Sequence, residues 1–214
     1  MRIIDRRWAW TLALGAIAFC VGWWAAHRWY ASPSPPRQPD FMLSPLPLRD
    51  PAPEFALHDG NGQLQTLRKQ RGRVVVMFFG FTHCPDVCPT ELFKLSQVME
   101  SLGDEARRVQ VQFVTLDPER DTPALLRSYT AAFNPSFLGL SGTRQQIDAV
   151  AKDYFVVHAK VPAGDSYVID HSTFTYILDT QGRLRLLAKM DTSVATLVHD
   201  IRLLLQTSVP GSNS

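Results

Sequence analysis

The chain has 214 residues, of which 45% are hydrophobic and 20% charged, with a formal net charge of +2. That is room for one domain with extensions, and the composition is that of a globular protein. The small net charge and the lack of a basic run with interleaved aromatics exclude a nucleic-acid surface. Three cysteines are too few for a disulfide scaffold.

The first predicted element is a membrane anchor over residues 1–28. Trp8 to Ala26 is 19 residues without a charge, close to the ~20 that cross a hydrocarbon core. Arg2, Arg6 and Arg7 precede it, so the N-terminus is expected in the cytoplasm and the remainder on the outer face. Trp8, Trp10, Trp23, Trp24, Trp29 and Tyr30 flank the span as an interfacial belt. A cleavable signal peptide is the competing reading, but the apolar run is long and no clean small-residue cleavage site follows. The expectation is a bacterial-type inner-membrane protein with one pass and its domain in the periplasm or an equivalent compartment. Cys20 then lies in lipid, and the other two cysteines face oxidising conditions.

Residues 29–50 read as a linker, with prolines at 33, 35, 36, 39, 45 and 47. Such a stretch is extended and semi-rigid. The domain is expected over 51–208, followed by a short tail, 209–214. Residues 54–58 and 63–67 alternate around Asp59-Gly60-Asn61-Gly62 and predict a hairpin. Val74 to Phe79 is apolar on both alternating faces, as in a strand buried on both sides, and Gly80 ends it. Cys84 and Cys88 follow. Leu92, Leu95, Met99 and Leu102 then mark one face of a helix closed by Gly103. Residues 109–116 predict a strand parallel to the first, through a βαβ unit.

Asp121 or Thr122 is expected to cap the next helix, with Pro123 at its start. Residues 137–140 are a strand candidate, and Thr143 with Gln146 forms a capping box for another helix. Residues 155–157 begin an extended piece, and 167–169 another. Residues 173–178 and 184–188 predict a second hairpin around Asp179-Thr180-Gln181-Gly182. A last helix begins near Thr192. The order predicts an α/β sandwich with a mixed sheet of thioredoxin-like type. Its cysteines then lie beyond the carboxyl end of a central strand, where open α/β sheets place their chemistry.

A thiol at a helix N-terminus has its pKa lowered by the partial positive charge there. Cys84 and Cys88 are separated by Pro85, Asp86 and Val87, one residue more than in a C-x-x-C redox motif. Positions i and i+4 share a helix face. The pair can therefore close a disulfide, or bind one soft ion such as Cu(I) or Zn(II). A metal site wants a third ligand. Of the histidines at 27, 58, 83, 158, 171 and 199, position favours His171, in the loop expected to return beside the cysteines, and leaves His158 open. Asp86 or water is a candidate for a further donor, and Asp170 or Ser172 for holding the ring of His171. A peroxidase is disfavoured: beyond Thr82 the chain has no convincing equivalent of a peroxidatic arrangement.

Three segments carry a specific resemblance: GFTHCPDVCP (80–89), LDPERDTP (116–123) and YVIDHS (167–172). In this order they resemble the Sco/SenC family, membrane-anchored copper proteins that serve cytochrome c oxidase assembly. The similarity covers about residues 50–207. It implies a thioredoxin-like fold, Cu(I) or Cu(II) as the bound ion, and Cys84, Cys88 and His171 as its ligands. It also implies a copper chaperone rather than an enzyme, with the copper-receiving oxidase subunit as partner. Other copper chaperones or a thioredoxin-like reductant are further candidate partners. A thiol–disulfide oxidoreductase acting on the oxidase subunit is the alternative, and it needs the cysteines but not the histidine. Asp117, Glu119, Arg120 and Asp121 match the family's acidic loop, either as a docking surface or as loop caps.

Overall fold

The computed structural model describes residues 18–24, 40–49 and 51–207. The chain divides into two compact units, 1–39 and 40–214. In the first, residues 18–24 are helical, and most of the predicted span lies outside the described residues. Among those described, no helix is long and apolar enough to cross a membrane.

The second unit is an α/β sandwich. Its strands are β1 (Ser44–Arg49), β2 (Ala56–Asp59), β3 (Leu64–Thr66), β4 (Val74–Gly80), β5 (Val109–Thr115), β6 (Leu138–Ser141), β7 (His158–Ala163), β8 (Ser166–His171), β9 (Thr175–Leu178) and β10 (Leu184–Ala188). Its α-helices are α1 (Val87–Leu102), α2 (Pro123–Phe133), α3 (Arg144–Asp153) and α4 (Val194–Thr207). Eight strands form one mixed sheet in the order β1-β10-β9-β4-β5-β6-β2-β3. β4 is central, parallel to β5 and antiparallel to β9.

The unbroken apolar run of β4 explains its place. Val74, Val76 and Phe78 enter the core under α1, α2 and α4, whereas Val75, Met77 and Phe79 enter the opposite core with Ile147, Val150 and Ala151 of α3. Every residue of the strand is buried. At about 25 cal/mol per Å² of apolar surface removed from water, this two-sided burial makes the strand the anchor of the fold.

The local signals act as expected. Thr122 caps α2 and accepts from Leu125 N, with Pro123 in the first turn. Thr143 and Gln146 complete the capping box of α3. Gly103 closes α1 at φ 57°, in the left-handed region that glycine favours.

Two findings differ from the sequence expectation. The folded unit takes in residues 40–49 of the stretch read as linker. There β1 pairs antiparallel with β10, Ser44 opposite Leu187 and Pro45 opposite Leu186. A strand that carries prolines is tolerated because it lies at the sheet edge, where the missing N–H breaks no ladder. The buried Asp200 of α4 secures this segment by accepting from Met42 N at 2.9 Å and Leu43 N at 2.8 Å. Second, β7 and β8 form a separate two-stranded hairpin, with His158 opposite His171. The sequence signalled two extended pieces there but not their pairing.

Candidate metal centre

Gly80 ends β4, and its carbonyl accepts from Leu116 N at 2.7 Å. The chain then turns through Phe81, Thr82 and His83 to Cys84, whose N–H returns to Phe81 O at 3.2 Å. Helix α1 starts at Val87, so Cys88 lies in its first turn. Asp86 stands at the cap position, but its side chain makes no capping bond; it accepts instead from Thr90 Oγ1 at 3.3 Å. Cys84 takes over the capping role, for Cys88 N donates to Cys84 Sγ at 3.5 Å. A sulfur that receives helix N-terminal amides is held where negative charge is favoured.

Close packing brings the second sulfur to the same point. Cys88 is fully buried. A Cβ on Gly80 would stand 2.6 Å from Cys88 Sγ and 2.8 Å from Phe113 Cε2. Glycine at the strand end is therefore what lets α1 seat its cysteine against β4 and β5. Cys88 Sγ lies 3.8 Å from His171 Nε2, across 83 residues of sequence.

The electrostatics of the thiols diverge. Hydrogen bonding from the Cys88 side chain, with further bonds from His171 and the Cys88 and Asp86 backbone, outweighs burial and lowers the Cys84 pKa to about 3. Cys88 moves the opposite way, because its proton serves the bond to Cys84 and because it is buried. These opposite shifts favour a thiolate on the more accessible Cys84 and a retained proton on the buried Cys88.

His171 is oriented by its other nitrogen. Nδ1 is 2.9 Å from the carbonyl of Ser172. A carbonyl only accepts, so Nδ1 carries a proton there, and this bond turns the ring with Nε2 toward the sulfurs. The rings of Phe78 and Phe81 stand edge-on to the imidazole, with centroids 6.2 and 6.1 Å away. Ser172 thus holds the ring, but through its carbonyl; its hydroxyl accepts from Val157 N at 3.2 Å. His158 is directed elsewhere, with Nε2 3.5 Å from Asp148 Oδ1, and desolvation lowers its pKa.

The structure thus brings Cys84, Cys88 and His171 together and leaves His158 and Asp86 outside the group. Among the described residues, no group of three His, Cys, Asp or Glu stands in an arrangement that could hold a metal ion; the three side chains are neighbours, linked by Cys88 N to Cys84 Sγ at 3.5 Å and Cys88 Sγ to His171 Nε2 at 3.8 Å.

One supporting residue has a role that the sequence reading did not assign. Asp121, 1% exposed, does not cap α2. Its Oδ2 accepts from Thr82 N at 3.1 Å and from Thr115 Oγ1 at 2.6 Å, and its Oδ1 accepts from Thr82 Oγ1 at 2.6 Å. It braces the turn two residues before Cys84. Its spacing from Pro123 resembled a cap, and only the fold aims the carboxylate at the cysteine turn.

The fold and this group define a thioredoxin-like protein whose two cysteines and one histidine converge beyond the end of the central strand. The SCO1/SenC family model matches residues 47–206, and the chain belongs to that family. It is 38% identical over 152 residues to the SCO2-like protein of Rickettsia conorii, covering 70% of this chain and 74% of that relative. Among solved structures it resembles Bradyrhizobium japonicum ScoI with copper bound, at TM-score 0.68 and 38% identity, over 72% of this chain and 98% of that one. Yeast Sco1 with copper bound is similar at TM-score 0.67 and 34% identity, over 75% of this chain and 91% of that one.

Proposed function

We propose that the protein binds copper and delivers it to, or matures the copper site of, cytochrome c oxidase. Cys84, Cys88 and His171 are its ligands. The observation that carries this reading is the convergence of two sulfurs with an imidazole nitrogen whose ring is held by the Ser172 carbonyl, Cys88 Sγ lying 3.8 Å from His171 Nε2. Two soft sulfurs and one imidazole suit Cu(I), and added oxygen or nitrogen donors extend the set to Cu(II). Binding requires deprotonated thiols, so affinity falls with acid and requires both cysteines reduced. Two solved relatives with copper bound support the choice of metal.

The oxidase destination comes from family membership. So does a copper-receiving oxidase subunit as partner; the uncleaved N-terminal anchor and the domain on the outer face of the membrane rest instead on the uncharged run of residues 8–26 and the arginines before it. The copper is cargo, and the protein is a metallochaperone rather than an enzyme.

The depressed pKa of Cys84 favours a second reading, reduction of a disulfide in the oxidase subunit. The Cys84 thiolate attacks one partner sulfur and expels the other as a thiolate. Cys88 then gives up its proton and attacks Cys84, which releases the reduced partner and leaves Cys84–Cys88 oxidised. A thioredoxin-like reductant returns the two electrons.

The test is copper stoichiometry and spectrum for the reduced protein and for Cys84→Ser, Cys88→Ser and His171→Ala. One copper per chain is expected, and each substitution should abolish tight binding. Wild-type affinity for Cu(I) and Cu(II) in His171→Ala sinks the three-ligand site. If that variant also reduces a partner disulfide at the wild-type rate, the redox reading takes its place.

A further inference from the structure

The hairpin that carries His171 is not hydrogen-bonded into the eight-stranded sheet. Of its strand residues only Ile169 is buried. Its position therefore depends on contacts at its sides: His158 meets Asp148 of α3, and a larger set of contacts converges on the 117–121 loop. Arg120 Nη1 donates to the carbonyl of Tyr167 at 3.0 Å and to Ser166 Oγ at 3.3 Å. Its Nε donates to Asp117, a fully buried carboxylate. The guanidinium carbon stands 3.7 Å from the centroid of the Tyr167 ring. Tyr167 Oη closes the set by donating to Asp117 Oδ1 at 2.7 Å. At the edge of the cluster, the exposed pair Lys160–Glu119 adds a contact at 3.6 Å.

The same loop holds the other half of the site, through the bonds that Thr82 donates to Asp121. The loop is thus tied to both the cysteine turn and the histidine hairpin, which are remote from each other in sequence. A planar guanidinium suits this task because it can bond a carboxylate, bond a carbonyl and stack on a ring at once.

We propose that Arg120 is a positioning residue: held between Asp117 and Tyr167, it fixes the β7–β8 hairpin to the 117–121 loop and so sets His171 against Cys84 and Cys88. The consequence for copper rests on the ligand reading above. The consequence for the hairpin does not, and the two are measured separately.

The experiment uses Arg120→Ala, Arg120→Lys, Tyr167→Phe, His171→Ala and the Arg120→Ala/His171→Ala double variant of the full chain. In metal-free protein, hydrogen exchange should quicken in the hairpin of Arg120→Ala and stay unchanged in α1 and β4. Copper(II) should still bind at the thiolates, with an affinity lower by about tenfold, as on loss of a residue that orients a ligand. Its thiolate-to-copper absorption should shift towards that of His171→Ala. Arg120→Lys keeps the charge beside Asp117 but not the fork, and Tyr167→Phe loses only the bond to Asp117, so both should fall between. If Arg120 acts through His171, the double variant binds copper no more weakly than His171→Ala alone.

Additive losses in the double variant overturn the proposal, as does exchange that quickens uniformly over the domain, which marks a residue serving stability alone. Unchanged hairpin exchange and an unchanged spectrum in Arg120→Ala, with His171→Ala still impaired, overturn it while the copper site stands. Wild-type copper binding in His171→Ala overturns the ligand reading and the copper consequence with it, and hairpin exchange then decides the positioning role.

Discussion

The reactivity of Cys84 is the sharpest consequence of the site. Take reduced, metal-free protein and vary pH while an alkylating agent consumes the thiols. An ordinary thiol of pKa about 8.5 is ~0.3% thiolate at pH 6 and roughly a quarter thiolate at pH 8, so its rate climbs about 75-fold between them. Cys84, with its pKa lowered to about 3 by the bonds from Cys88, His171 and the helix amides, is thiolate throughout this range. Its rate should be flat. The low pKa also weakens the nucleophile: with a Brønsted slope of about 0.45, a difference of ~5.5 pKa units makes the thiolate about 300-fold less reactive than an ordinary one. Cys84 should therefore react more slowly than a reference cysteine at pH 8, match it near pH ~6 and overtake it below. Peptide mapping by mass spectrometry separates Cys84 from Cys20 and Cys88, and the buried Cys88 should stay unlabelled. Because the folded pKa of Cys84 is depressed, its contribution to stability is full above the ordinary thiol value of about 8.5 and is lost as pH falls through about 3. A Cys84 rate that rises about tenfold per pH unit from pH 5 to 8, as an ordinary thiol's does, refutes the reasoning.

Gly80→Ala introduces a methyl 2.6 Å from Cys88 Sγ and 2.8 Å from the Phe113 ring, and overpacking of this kind costs about 1–3 kcal/mol. Chemical denaturation should show that loss, and copper affinity should fall with it as Cys88 is displaced; a variant with wild-type stability would mean that α1 is free to shift away. Asp121→Ala removes three hydrogen bonds made by a buried carboxylate and leaves the Thr82 and Thr115 donors without it, a loss of roughly 4.5 kcal/mol or more at about 1.5–3 kcal/mol per bond to a charged group, before relaxation. Urea unfolding measures it, and a loss below ~1 kcal/mol would show that water replaces the carboxylate with little penalty.

Much of the architecture was legible in short stretches. The unbroken apolar run of β4 required burial on both faces, Thr143 with Gln146 announced the start of α3, and Gly103 the end of α1, because these signals act over a few residues. The hairpin at β7–β8 was not legible as a pair. Its strands bury only Ile169, so the alternation that betrays a half-buried strand is absent. The strand at 44–49 was hidden for another reason, since prolines that rule out a central strand are admitted at an edge.

By itself the sequence determined that two cysteines leave a buried strand and enter a helix, with three residues between them, because chain connectivity and helix capping are local. It favoured His171 by position as a third donor and left His158 open. The tertiary structure shows which of the two imidazoles stands beside the sulfurs. His158 and His171 face each other in one hairpin, yet Asp148 draws His158 aside while the Ser172 carbonyl turns His171 Nε2 toward Cys88. The distance between donors 83 residues apart is set by what holds the hairpin and the cysteine turn to a common loop, and only the folded chain brings those contacts into being.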